Sequence, residues 1–139
     1  MNKHEWQGRC RSHAASARVL LANGRFDAAY HLAGLAVECG FKARIADRFL
    51  ARDVPERKLV SDFYQHGHDL EFLVRLALLD AEIARERDRN PVFSENWVTA
   101  KTWTVDSRYK PWTEAEAVQM VSAVTARGSG ILPWLRRHW

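Results

Sequence analysis

Residues 26–50, FDAAYHLAGLAVECGFKARIADRFL, carry an almost unbroken helical apolar pattern with one charged pair in its middle. Glu38 and Lys42 lie one turn apart, surrounded by Ala33, Ala36, Val37, Gly40 and Phe41. A carboxylate buried alone costs several kcal/mol, so Glu38 needs a cationic partner wherever this helix is enclosed. Two arrangements satisfy that need. The pair lies at the edge of the core, or it lines a polar cleft inside a helical bundle.

The rest of the chain reads as helices around this one. The 139 residues are of a size for a single domain with one core. Apolar residues make up 47% and charged residues 27%, as in soluble globular proteins. No apolar run is long enough for a membrane span, and MNKHEWQGRC lacks a signal-type stretch. The expected setting is cytoplasmic. Cys10 and Cys39 are too few for a disulfide framework and read as reduced core thiols. The net charge of +4 comes from 16 arginines and 5 lysines against 17 acids. Such a surface is compatible with internal ion pairs or with an RNA or nucleotide partner.

A first helix is predicted from about His4 to Ala22, with Trp6, Cys10, Ala14, Ala17 and Leu21 at helical spacing, ended by Asn23-Gly24. The second runs from Arg25 to about Arg52, limited by Pro55, and carries a small-residue stripe of Ala29, Ala33, Ala36 and Gly40. Residues 53–67 read as a polar connection. A third helix from Asp69 keeps its period through Leu70, Leu73, Leu76, Ala77 and Ile83 and ends at Pro91. Between Ser94 and about Thr104, Trp97, Ala100 and Trp103 share a face with Phe93, either as core or as a base-stacking platform. VDSRYKPW turns the chain. Thr113 and Glu116 form a capping box for a helix over 114–126, with Ala117, Val118, Val121 and Val124 inward. After Gly128-Ser129-Gly130, a tail docks through Ile131, Leu132, Trp134 and Leu135. No segment alternates with period two, so the fold class is all-α, an up-and-down bundle of four to five helices.

Three short motifs in order resemble the HEPN domain family: AGLAVECGFKA in the second helix, HDLEFL opening the third, and ENWVTAKTWTVDSRYKPWTEAEA before the last long helix. The third is similar to a stand-alone bacterial HEPN subgroup, and the resemblance covers roughly residues 6–138. It implies a helical bundle that is often a homodimer, and a bacterial defence or toxin–antitoxin setting. Family members cut RNA without a metal, or bind RNA, nucleotides or a cognate protein partner. The nuclease members carry an Arg followed, after four to six residues, by a His. Arg108 is the counterpart of that arginine, and Tyr109 to Ala115 contain no His. Arg25 and His31 have the spacing but lie at the opening of the second helix, and a match of that kind arises about twice by chance.

The candidate polar site comprises Glu38, Lys42, His68, Asp69, Arg108 and Tyr109. If the bundle follows the resemblance, Arg108 comes near the Glu38 face and pairs with it, as a buried strut or as part of a phosphate or RNA cleft. Asp69 reads as a helix cap. His66, His68 and Asp69 together supply few metal ligands, so neither metal nor cofactor is expected. Three functions stay open: a binding domain without the usual nuclease motif, a metal-independent ribonuclease using His68 or His31, and an adaptor docking through its tryptophan face.

Overall fold

A computed structural model describes residues 1–50 and 57–139, the side chains of 49, 50 and 59 excepted. The described residues contain eight α-helices and one 3-10 turn, and no strand. In chain order these are α1 (Lys3–Ala22), α2 (Phe26–Leu50), α3 (Arg57–His66), α4 (Leu70–Leu76), α5 (Asp80–Arg89), α6 (Pro91–Lys101), the 3-10 turn Val105–Tyr109, α7 (Glu114–Thr125) and α8 (Ile131–Arg136). None is long and apolar enough to cross a membrane. The predicted end of the second helix, at Arg52 and Pro55, lies outside the described residues.

The first helix starts earlier than its apolar pattern. Asn2 accepts from the Glu5 amide at 2.9 Å and Glu5 returns the bond to the Asn2 amide at 2.7 Å, a complete capping box. Gly24, at φ +73°, ends the connection. α2 then runs back along α1: Lys3 pairs with Asp47 at 2.8 Å, and Cys10 lies beside Gly40. The small stripe is the reason these axes lie close, since Ala29, Ala33, Ala36 and Gly40 are all buried. Gly40 faces Leu135 of α8, and Gly34 lies under the indole of Trp103; a Cβ there would sit 2.1 Å from the ring. Burial pushes the Cys10 thiol up to about 12 and the Cys39 thiol to about 11, so both remain protonated core groups.

The predicted third helix is two. At 100° per residue, Leu79 falls about 180° round from Leu70, so one straight helix cannot bury both. The chain breaks between them. Leu78 takes φ +59°, its amide bonds to the Arg75 carbonyl and the Leu79 amide to that of Val74. Arg48 donates to the freed Leu76 carbonyl. Leu70, Leu79 and Ile83 are then all buried. Part of the predicted polar connection is also helical: in α3, Val60, Phe63 and Tyr64 recur at helical spacing, and Phe63 packs on the core.

The tryptophan face of α6 is core. Trp97 meets Phe41 edge-on at 6.1 Å, Phe93 packs on Trp134 at 5.4 Å, and Trp103 donates to the His31 carbonyl at 3.1 Å. Neither a base-stacking platform nor an adaptor surface is left on that side. Thr113 and Glu116 cap α7 as predicted. Its inward set differs: Met120 is buried and Val118 is 45% exposed, because Val118 lies past the edge of the stripe through Ala117, Val121 and Val124. Ile131, Leu132, Trp134 and Leu135 dock α8.

Candidate ligand cleft

One stripe of α2 carries Asp27, His31, Gly34, Glu38 and Lys42, spaced three or four residues apart, so all share a face. Each meets a different segment. Asp27 accepts from the Trp112 amide at 2.6 Å. The Nδ1 of His31 lies 3.0 Å from the hydroxyl of Ser107, which is buried in the 3-10 turn. Gly34 admits Trp103. Glu38 and Lys42 close the stripe.

Glu38 is 3% exposed, and both of its oxygens are used. Oε1 accepts from Lys42 Nζ at 2.8 Å and Oε2 lies 2.9 Å from Nδ1 of His68. A carboxylate only accepts, so His68 carries a proton on Nδ1 and turns Nε2 outward. The His68 side chain is 59% exposed, which makes it the solvent-facing member of an otherwise buried network. Lys42 is satisfied a second way. Its ammonium sits 5.1 Å from the ring centroids of both Trp6 and Phe63, within cation–π range. The turn closes over it at Gly67, where a Cβ would lie 3.3 Å from Nζ and 2.4 Å from the Phe63 carbonyl.

Above this network opens a cleft of about 530 Å3. Its walls are Trp6, Val60, Phe63 and Tyr64, and its polar groups are Lys42 and His68. Such a volume, mostly apolar and aromatic with a few fixed polar groups, is in the range of small-ligand sites. On the other side of His68 lies a second hollow of about 470 Å3, lined in part by His66, Asp69 and Lys101.

Among the sequence-derived candidates, Glu38, Lys42 and His68 come together. Asp69 lies beside them but spends its carboxylate on the amide of Phe72, at 3.1 Å, as the cap of α4. Arg108 and Tyr109 are elsewhere. Both are exposed, and the guanidinium lies 4.7 Å over its neighbour's ring. The expected Glu38–Arg108 pair is therefore not formed. The 3-10 turn points Ser107 inward toward His31, which rotates the next two side chains into solvent. Arg108 is still felt at His31: burial first, and then that cation, hold the imidazole below its ordinary range, with Glu38 acting the other way. Trp6, Phe63 and Tyr64 were absent from the sequence-derived set. The spacing of Val60, Phe63 and Tyr64 is the signal that could have found the latter two.

No group of three or more His, Cys, Asp or Glu among the described residues is arranged to hold a metal ion. No family model, curated protein or solved structure matches the chain.

Proposed function

We propose that this chain is a HEPN-like helical domain that binds a nucleotide unit, free or within RNA, in the cleft beside α3. The observation that carries the reading is the Lys42–Glu38–His68 network at the base of aromatic walls. Trp6, Phe63 and Tyr64 offer faces on which a base can stack, a contact of about 1–3 kcal/mol per base. His68 presents an oriented Nε2 that can accept from a ribose hydroxyl. The homodimer and the defence or toxin–antitoxin setting belong to the same proposal and rest on the sequence resemblance. Calorimetric titration with nucleoside monophosphates and with a short RNA tests the reading. Tyr64 is 81% exposed, so Tyr64→Ala leaves the fold intact. The wild type is expected to bind and Tyr64→Ala to lose about tenfold or more in affinity, the stacking range. Equal binding by both proteins would count against the cleft.

A second reading is favoured by His68 itself. Its ring is fixed by a buried carboxylate and its Nε2 has no protein partner among the described residues, the geometry of a general base. In metal-independent RNA cleavage, Nε2 would take the 2′-hydroxyl proton as that oxygen attacks phosphorus and the 5′ oxygen leaves with a proton from solvent. RNA incubated with chelator should then be cut by the wild type and spared by His68→Asn.

A further inference from the structure

A second charged feature lies away from the cleft, where α5 meets α8. A groove of about 350 Å3 runs between them, with Trp134 and His138 at its base, ring centroids 4.8 Å apart. Arg85, Arg89 and Arg137 form its rim, and all three are exposed. Beneath the rim, buried Glu86 holds two of them. Arg89 grips it through Nε at 3.1 Å and Nη2 at 2.6 Å, and Arg137 touches it more loosely at 3.4 Å. A buried carboxylate that fixes arginines at a rim presets their outward donors.

The charge does not balance within the groove. Glu82 and Glu86 answer the three rim arginines, Glu82 pairing with Arg85 at 2.8 Å. Three more guanidinium groups crowd the same flank. Arg44 acts electrostatically on His138, Arg11 lies 5.5 Å from the Trp139 ring, and Arg136 acts together with Arg11 on Cys10. None of these three has an ion-pair partner among the described residues. Among the described residues, Glu82 and Glu86 are the only side-chain carboxylates paired with any of these six guanidinium groups. All six cations are arginine, whose planar fork matches phosphate oxygens. Half-buried His138 and Trp139 interleave with them as ring faces. None of the large exposed apolar side chains among the described residues lines the groove, which is not shaped to enter a lipid surface.

We propose that this arginine flank is a second contact surface, which seats the phosphodiester backbone of a single-stranded polynucleotide independently of the aromatic cleft. Each guanidinium that neutralises a phosphate releases counterions, and so adds about 0.7 to the slope of log affinity against log salt for a single strand.

The test is fluorescence anisotropy of a labelled oligouridine between about 50 and 300 mM salt. It compares the wild type, Arg136→Gln/Arg137→Gln and Tyr64→Ala, with a thermal melt of each. The double variant should lower the slope by about 1.4 and weaken binding by about tenfold or more near 0.1 M salt. Tyr64→Ala should keep the wild-type slope, and oligothymidine should behave as oligouridine does. An unchanged slope in the double variant overturns the proposal and leaves the cleft reading standing. So does polyglutamate or an anionic phosphatidylserine vesicle competing as well as the oligonucleotide. A wild type that binds no oligonucleotide overturns it as well. If the double variant melts early, Arg136→Gln alone gives the answer, because Arg136 makes no ion pair among the described residues; it should lower the slope by about 0.7.

Discussion

Removing the Glu38 carboxylate leaves the Lys42 ammonium, 7% exposed, without its counter-charge. Glu38→Gln is therefore expected to cost about 3–5 kcal/mol, the range for breaking a buried pair, read by urea denaturation. The double variant Glu38→Leu/Lys42→Met should recover most of that loss, since an apolar replacement removes both desolvation costs. A single variant within about 0.5 kcal/mol of wild type would show that solvent reaches the pair. The pair itself was legible in the sequence, because a carboxylate among alanines must find a cation one turn away. Its third member was harder to identify. Which distant group reaches Glu38 depends on how two turns rotate their side chains, and 16 arginines offer many candidates. The Gly67-His68 turn delivers an imidazole there, while the 3-10 turn sends Arg108 outward.

Among the helices, those with continuous stripes and plain stop signals were readable: α1, the start of α2 and α7 lie close to where the pattern puts them, whereas α6 runs from Pro91 to Lys101 rather than from Ser94 to about Thr104, because Asn90 caps it and Pro91 opens it. The break in the third was not, because each half keeps its own period and only the angle between the two apolar sets reveals it. Leu78 bears the consequence, sitting in a left-handed conformation that costs a leucine about 1–2 kcal/mol. Its side chain is 62% exposed, so little packing is lost by removing it. Leu78→Gly is expected to raise stability by about 0.5–1 kcal/mol after the entropy lost from the unfolded chain is counted. The glycines of α2 give a ranked pair. At Gly40 a new Cβ meets the mobile end of Leu135, whereas at Gly34 it meets the rigid Trp103 ring. Gly34→Ala should cost more than Gly40→Ala, and by about 1–3 kcal/mol in its own right, measured by thermal melting.

Across the whole molecule, three histidines respond to acid in the same direction. Burial leads in holding His13, His31 and His138 below their ordinary value of 6.5. The unfolded chain then takes up protons at a higher pH than the folded one does. Stability is complete above about pH 6.5 and falls as pH drops toward the folded values. Urea unfolding at about pH 7.5 and 5.5 should show the lower stability at the acid end, and His31→Asn should flatten that difference. A stability that does not change over this range would contradict the burial of these rings. The all-α architecture followed from periodicity alone. The cleft did not, since Trp6 meets the α3 residues and the Gly67 turn that follows them only in three dimensions. In the proposed function, Glu38 fixes His68 at the mouth of a nucleotide-binding cleft. Long-range nitrogen–proton correlation spectra of the imidazoles during titration with uridine monophosphate test this directly. His68 is expected to be protonated on Nδ1, with its Nε2 resonance and the Trp6 indole signal moving together on titration. A His68 that populates both tautomers freely, or signals that stay fixed at saturating nucleotide, would contradict it.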